Sequence, residues 1–229
     1  MRLIGLTGGI STGKTTVSNY LSKNYQCPIW DADVYAREAV QSGSSILEGI
    51  VEHYGKKIVL PNGNLDRQKL GEIVFNDKNE LHWLEQQIHP YVRDRFEQNI
   101  QHFIVKNSEP EQKNFIQVTS HQTTSQDSTV VLVIPLLFEA KMTDLVTEIW
   151  VIYSTPQQQI ERLMKRDSLT QQQAYTRINN QMSLEEKCQK ADLVVDNSST
   201  LEILLKQVDL AIAYPQDNSV SGRKKHFNS

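Results

Sequence analysis

The chain has 229 residues with 38% hydrophobic and 22% charged side chains, and 24 Lys and Arg against 27 Asp and Glu give a net charge of −3. This length accommodates one large domain, or a core domain with a lid. The composition is typical of a soluble globular protein, and the charge gives no indication of a nucleic-acid partner. The longest strongly apolar run, residues 130–138, is far shorter than the ~20 residues that cross a membrane. Cys27 and Cys188 match no metal-binding spacing, so we expect reduced thiols in a cytoplasmic protein without a membrane partner.

A glycine-rich segment near the N-terminus fits the pattern G-x-x-x-x-G-K-[S/T] at Gly8, Gly13, Lys14 and Thr15. A strand-like run precedes it and a helix-compatible segment follows, which favours a phosphate-binding P-loop over a chance glycine-rich turn. Such a loop can direct several backbone N–H groups at a polyphosphate, and the helix N-terminus adds further donors. Lys14 is predicted to contact the β- and γ-phosphates of a nucleoside triphosphate, and the Thr15 hydroxyl to bind Mg2+. The predicted nucleotide-binding residues are Gly8, Ser11, Thr12, Gly13, Lys14, Thr15 and Thr16.

Two carboxylates, Asp31 and Asp33, end the second predicted strand, just before a helical apolar pattern at residues 34–40. Ligands of parallel sheets bind at the C-terminal ends of the strands. One carboxylate could therefore face a metal ion and the other an acceptor hydroxyl, and we predict a catalytic role for Asp33. The alternative is that one of the two only caps the helix.

Residues 44–105 interrupt the alternation of strands and helices with helices alone. Amphipathic patterns predict short helices at 44–54, 66–75 and 81–88, and a longer helix at 91–105. We interpret the whole stretch as a helical insertion that binds the acceptor. His89, between the last two helices, could contact that acceptor or could only shape the start of the helix. The polar stretch 106–129 is predicted to be a mobile loop or a short hairpin of low order.

A continuous β-branched run at residues 130–134 predicts a central strand buried on both faces. Further strands are predicted at 148–153 and 191–197. Between these two, at about residues 162–182, lie helical capping signals and three arginines. The arginines, which are Arg162, Arg166 and Arg177, indicate either a solvated helix face or a lid that closes over a phosphoryl group.

These elements predict an α/β fold of the P-loop NTPase type, a three-layer sandwich in which helices flank a parallel five-stranded sheet. We expect one domain at 1–213, with its core at 1–43 and 130–213, and a disordered tail at 214–229. A P-loop is compatible with a small-molecule kinase, a GTPase-type switch or a binding module. The chain lacks the D-x-x-G and [N/T]-K-x-D segments of a switch, and a binding module would not need both the carboxylates and the late arginines. A kinase is the remaining interpretation.

Beyond the P-loop, further motifs follow in order: Asp31-Ala32-Asp33, His89-Pro90, Pro135-Leu136-Leu137-Phe138-Glu139, Arg162 with Arg166-Asp167, Arg177, Gln181-Met182 and Ala191-Asp192. This combination, spread over about residues 1–210, resembles the dephospho-CoA kinase family. The resemblance implies that ATP phosphorylates the 3'-hydroxyl of dephospho-CoA, giving CoA and ADP in the last step of coenzyme A biosynthesis. The alternative is another small hydroxyl acceptor, such as a nucleoside monophosphate or a sugar acid.

The resemblance also implies roles for individual residues. Asp33 would accept the proton of the ribose hydroxyl, while Lys14, with Mg2+ at Thr15, neutralises charge on the transferred group. Arg166 and Arg177 would screen the same oxygens. The residues implied to bind the acceptor are Thr7, Asp33, His89, Leu136, Phe138 and Glu139. The expected partners are the two small-molecule substrates, and the expected state is a monomer or a weak homo-oligomer.

The P-loop departs from the family pattern at one place. Ser11 and Thr12 stand where the family usually has Gly and then Ser. The loop therefore has one glycine fewer. We expect phosphate binding to survive, because the sequence from Gly13 onwards is intact.

The third strand departs from the pattern as well. Val133 stands where an acidic residue is usual, so Mg2+ would rely on Thr15, phosphates, water and Asp31.

The polar stretch 107–129 is also longer than is usual for the family, and no function is assigned to it.

Overall fold

The computed structural model describes residues 1–108 and 129–214, and the backbone of 225–226. Most of the polar stretch predicted as a loop at 106–129 therefore lies outside the described residues. Its first three residues belong to a helix, and residue 129 begins a strand. Most of the tail predicted at 214–229 also lies outside them.

Strands and helices alternate at both ends of the chain and helices alone occupy the middle. The strands are β1 (Arg2–Gly8), β2 (Ile29–Asp31), β3 (Thr129–Val133), β4 (Glu148–Tyr153), β5 (Leu193–Asp196) and β6 (Lys225–His226). The α-helices are α1 (Lys14–Tyr25), α2 (Ala32–Ala39), α3 (Ser45–Tyr54), α4 (Arg67–Val74), α5 (Lys78–Ser108), α6 (Pro156–Asp167), α7 (Gln171–Asn179), α8 (Leu184–Lys190) and α9 (Leu201–Ala213). Short 3-10 helices lie at Lys56–Ile58 and Thr143–Leu145.

The strands form one parallel sheet in the order β2-β3-β1-β4-β5-β6. The five predicted strands and their parallel arrangement are confirmed. The two-residue β6 pairs with Leu193 and Val194 of β5 and lies within the stretch predicted to be a disordered tail. The register places Asp31 beside Val133, and Val133 beside Leu6, so these strands end at a common edge. That edge is where the predicted site residues begin.

Helices cover both faces of the sheet, which gives the predicted three layers. On one face, α1 and α9 pack against β1, with Val17, Leu21 and Leu204 buried beside Ile4 and Leu6. On the other face, α2 and α5 pack against β3 through a second buried cluster that includes Tyr35, Val92, Phe96, Val130 and Leu132. Within the described residues, no helix is both long and apolar enough to span a membrane.

The helical insertion has a hydrophobic core of its own. Residues from α3, α4 and the first half of α5 form it, among them Leu47, Ile50, Leu70 and Leu84. The predicted break at Pro90 is wrong, because α5 continues through this proline as one helix of 31 residues. Its first half packs in the insertion and its second half packs on the sheet, and this packing outweighs the backbone hydrogen bond that proline cannot make.

Candidate active site

The P-loop connects β1 to α1 and needs glycine at two positions. Gly8 and Gly13 have φ angles of 144° and 104°, which side chains rarely adopt. A Cβ atom at Gly13 would lie 2.2 Å from Nδ2 of Asn197, and one at Gly8 would lie 2.5 Å from the carbonyl oxygen of Ile152. The predicted motif positions therefore have a steric cause in this fold.

Two side chains outside the motif hold the loop in shape. Gln159 of α6 donates to the Ile10 carbonyl at 2.8 Å, and Asn197, after β5, donates to the Thr12 carbonyl at 2.8 Å. The Thr12 side chain is buried and donates to Gly9 at 3.0 Å, so its hydroxyl is used inside the loop. Gln159 and Asn197 were not predicted from the sequence, because neither belongs to a local motif.

Lys14 is the first residue of α1 and points back over the loop. Its Nζ donates to the Gly8 carbonyl at 3.2 Å and to the Gly9 carbonyl at 2.7 Å. Although the side chain as a whole is only half-buried, burial of the ammonium and the nearby charge of Lys187 lower the pKa of Lys14 to about 8. The carboxylate of Asp33 acts on this pKa in the opposite direction. This lysine therefore gains from an anionic ligand more than an exposed lysine would.

The two aspartates at the end of β2 have different environments. Asp31 is the N-cap of α2, and its Oδ1 accepts a hydrogen bond from the Asp33 backbone N–H at 2.8 Å. Asp31 therefore caps α2, as the capping alternative requires of one of the two aspartates, and burial raises the pKa of its carboxyl group. Asp33 lies one residue inside the helix, with an exposed side chain that lines two cavities.

The larger cavity, of about 550 Å³, lies over the P-loop and the N-terminus of α1. We call it the phosphate cleft. The predicted site residues that it brings together are Ser11, Thr12, Gly13, Lys14, Thr15, Asp33, Leu136 and Arg166. Arg162 of α6 and Gln181 of the connection between α7 and α8, both on the opposite side, complete its polar lining. Gly8 and Thr16 belong to the loop and to α1 but do not line this cleft.

The smaller cavity, of about 130 Å³, lies between α2, α5 and the segment after β3, and we call it the acceptor pocket. Its lining is mostly apolar, with Asp33, Glu85 and His89 as the titratable groups. Burial lowers the pKa of His89 and raises the pKa of Glu85, so both are held toward their neutral forms. Asp33, Pro135 and Leu136 line both cavities.

Pro135 and Leu136 form a wall between the two cavities. Three residues predicted to bind the acceptor lie behind this wall and line neither cavity. Thr7 is fully buried and its hydroxyl donates to the Pro135 carbonyl at 3.2 Å. Phe138 packs against Leu184 at the start of α8. Glu139 forms an ion pair with Lys187 at 2.9 Å. The structure thus separates them from the predicted residues that face the cavities.

The two predicted catalytic arginines share one carboxylate. Asp167 accepts from Arg166 at 2.7 and 3.0 Å and from Arg177 at 2.8 Å. The Arg166 hydrogen bonds, followed by the charges of both arginines, lower the pKa of Asp167. Arg166 is 57% exposed and lines the phosphate cleft, whereas Arg177 lies over the Phe75 ring and does not. Both arginines belong to helices within the predicted lid, 162–182.

A P-loop at the edge of a parallel sheet, an exposed aspartate between two cavities and an arginine on the opposite side define a P-loop kinase. The model of the dephospho-CoA kinase family matches residues 2–202. The chain therefore belongs to the dephospho-CoA kinase family.

Curated relatives agree with this assignment. The chain is 54% identical over 213 residues to a dephospho-CoA kinase of Trichormus variabilis, covering 93% of this chain and 97% of the relative. It is 49% identical over 207 residues to a dephospho-CoA kinase of Synechocystis, covering 90% and 92% of the two chains.

Solved structures show the same fold. The dephospho-CoA kinase from Campylobacter jejuni matches with a TM-score of 0.62 and 25% identity, covering 93% of this chain and 96% of that chain. A crystal structure of a Thermus thermophilus protein matches with a TM-score of 0.67 and 27% identity, covering 94% and 98%. The predicted P-loop kinase fold is confirmed.

Proposed function

We propose that this chain transfers the γ-phosphoryl group of ATP to the 3'-hydroxyl of dephospho-CoA, giving CoA and ADP, at the junction of the phosphate cleft and the acceptor pocket. Family membership makes ATP the co-substrate and dephospho-CoA the acceptor, in preference to a nucleoside monophosphate or a sugar acid. The observation that carries the residue assignment is that the Asp33 carboxylate lines both cavities. A residue at this junction can reach both an acceptor bound in the pocket and a γ-phosphate bound in the cleft.

In this proposal, Asp33 accepts the proton of the attacking hydroxyl as the bond to phosphorus forms. Lys14 compensates the negative charge on the β- and γ-phosphates, and the backbone N–H groups of the loop bind the same oxygens. Arg166 faces the transferred group from the other side of the cleft. Arg177 acts indirectly. It bonds the Asp167 carboxylate, which orients both guanidinium groups.

The acceptor is proposed to bind with an apolar part in the pocket between α2 and α5. Leu136 and His89 contact it there, and the neutral imidazole suits a pocket with little water. Thr7, Phe138 and Glu139 are proposed to assist indirectly, because each supports the segment 135–140 from behind.

Mg2+ is proposed to bind with the nucleotide. The described residues contain no cluster of three or more His, Cys, Asp or Glu side chains that could hold a metal ion alone. This fits Mg2+, which commonly keeps several waters and binds through phosphates and one or two protein oxygens. Thr15 would supply its hydroxyl and Asp31 the carboxylate oxygen that does not cap α2. When bound, the ion would neutralise phosphate charge.

We also propose a cytoplasmic monomer or weak homo-oligomer with no nucleic-acid or membrane partner. The net charge of −3 supports the lack of attraction to polyanions. Sedimentation velocity over a range of protein concentrations would test the oligomeric state, and a stable large assembly would contradict it.

Purified protein incubated with ATP, Mg2+ and dephospho-CoA tests the reaction. Mass spectrometry and phosphorus NMR should show a new 3'-phosphomonoester together with stoichiometric ADP. Asp33→Asn should lower kcat by about 10²- to 10⁴-fold while the Kd for ATP stays close to that of the wild type. Near wild-type kcat in Asp33→Asn would show that Asp33 is not the base.

A further inference from the structure

Lys187 of α8 is a charged side chain that the reaction proposed above does not use. Its side chain is 0% exposed. A buried ammonium is costly unless hydrogen-bonded and paired with an opposite charge. Its contacts are the Glu139 carboxylate, with Nζ 2.9 Å from Oε1, and the Pro135 carbonyl oxygen, also at 2.9 Å. Both partners belong to the segment that follows β3.

Pro135 is part of the wall between the two cavities. Pro135 lines both the phosphate cleft and the acceptor pocket. Its oxygen accepts from Lys187 and also from the Thr7 hydroxyl at 3.2 Å. Two donors on one carbonyl fix its orientation from behind. The ammonium therefore lies one hydrogen bond away from the surface on which the substrates would meet.

Glu139 extends this contact to the other side of the cleft. Its Oε1 also accepts from the backbone N–H of Met182 at 2.9 Å, in the connection between α7 and α8. The preceding residue, Gln181, lines the phosphate cleft. Lys187 and Glu139 thus join the wall after β3 to the connection that follows α7, the helix that carries Arg177.

A contribution to stability does not by itself explain why Lys187 and Glu139 form a buried ion pair here. The second carboxylate oxygen of Glu139, Oε2, is buried and has no hydrogen-bond partner in the described part of the chain. A pair that served stability alone would be expected to satisfy both oxygens, and a well-packed apolar pair of similar volume is often as stable or more so. The pair lies directly behind the cleft, where it can position the residues that line the cleft.

We propose that Lys187 is a positioning residue for phosphoryl transfer: it holds the Pro135 carbonyl in place and, through Glu139, fixes the connection that follows α7 relative to that wall. Lys187 does not touch either substrate. Its removal would displace the acceptor relative to the γ-phosphate and leave the P-loop, which is held by Gln159 and Asn197, unchanged.

The test separates position from stability with a double substitution. Lys187→Met alone would leave the Glu139 carboxylate buried without its counter-charge, whereas Lys187→Met with Glu139→Leu removes both charges together. We expect the double variant to unfold cooperatively, to bind ATP within about twofold of the wild type, and to lose at least about tenfold in kcat/KM for dephospho-CoA. Lys187→Arg should recover part of that loss. Lys190→Met, an exposed lysine of the same helix, is the matched control and should behave as wild type.

Wild-type kcat and KM in the double variant would overturn the proposal. Equal losses of ATP affinity and acceptor kcat/KM would also overturn it, since they would indicate a general structural role.

Thr7→Val removes the other donor to the Pro135 carbonyl with little change in volume. It provides a second, independent test if the double variant does not fold. It should lower kcat/KM for the acceptor without weakening ATP binding, and unchanged kcat/KM would contradict the role of this carbonyl. Because the inference rests on the proposed function, wild-type turnover of dephospho-CoA is measured first; its absence would count against that function and not against Lys187.

Discussion

The Lys14 ammonium donates a hydrogen bond to the Gly9 carbonyl oxygen at 2.7 Å, within the loop that it serves. A second bond to Gly8 holds it in the same place. Lys14 therefore stabilises the loop through its carbonyl groups while the loop N–H groups remain available for a ligand. A triphosphate must compete with these two carbonyls for the ammonium, and its negative charge favours that exchange.

The lowered pKa of Lys14 predicts a pH dependence of ATP binding. The free chain loses this proton as the pH rises through about 8, whereas bound phosphates favour the protonated ammonium. The affinity for ATP should be full below that pH and fall by up to about tenfold per pH unit above it. Isothermal titration calorimetry between about pH 7 and about pH 9.5, in buffers of different ionisation enthalpy, would show proton uptake on binding at the alkaline end. Lys14→Arg stays charged and should lack this dependence; the same dependence in that variant would rule out Lys14 as the titrating group.

A second prediction separates the two roles proposed for Asp31. Asn is as good an N-cap as Asp, so Asp31→Asn should retain the stability of the chain, while Asp31→Ala should lose about 1 kcal/mol of unfolding free energy. Both variants lack the carboxylate and should need several-fold more Mg2+ for half-maximal turnover. Urea unfolding and Mg2+ titrations of the rate measure the two effects. A wild-type Mg2+ requirement in Asp31→Asn would mean that Asp31 is only a cap.

How much the sequence predicted depends on how local each signal is. The P-loop, the Asp31 and Asp33 pair and the five strands were predictable because turn geometry, capping and apolar periodicity all act over a few residues. The continuity of α5 through Pro90 could not be predicted in this way, because it depends on the packing of the helix against two separate hydrophobic cores.

The supporting residues of the site were equally hidden. Gln159, Asn197 and Lys187 reach the site from α6, the β5–α9 connection and α8. The backbone carbonyls to which they donate lie between 52 and 185 positions away along the chain. A buried lysine on an otherwise polar helix looks like a surface lysine until the fold is known. Sequence motifs therefore identified the residues that line the two cavities better than the residues that hold them in place.

A third prediction concerns the residue that replaces the usual loop glycine. Ser11 has a φ of 60°, a left-handed conformation that costs a side-chain-bearing residue about 1–2 kcal/mol. Glycine avoids this cost but gains more freedom in the unfolded chain. Ser11→Gly should therefore be about 0.5–1 kcal/mol more stable than Ser11→Ala; both lack the hydroxyl, so their difference reports the backbone alone. Denaturant unfolding measures it, and both variants should bind ATP because the backbone N–H remains. A glycine variant less stable than the alanine variant would contradict this account of the loop.

The last prediction concerns contact between the insertion and the lid. Phe75, which ends α4, lies 4.9 Å from the Arg177 guanidinium, and its carbonyl accepts from Asn180 at 3.3 Å. Because α4 belongs to the helical insertion and α7 to the predicted lid, this contact joins the two. A cation over an aromatic ring at a partly exposed site contributes about 0.5–1 kcal/mol.

If this arrangement is the one that performs the reaction, Phe75 and Arg177 should be energetically coupled in turnover. A double-mutant cycle with Phe75→Leu and Arg177→Met, measured as kcat/KM for dephospho-CoA, should give a coupling of about 0.5–1 kcal/mol. Phe75→Tyr retains the ring and serves as the control, with kcat/KM close to that of the wild type. Arg177→Met alone should cost more than Phe75→Leu alone, since Arg177 also bonds Asp167 beside Arg166. Additive losses would show that the contact is absent when the phosphoryl group is transferred.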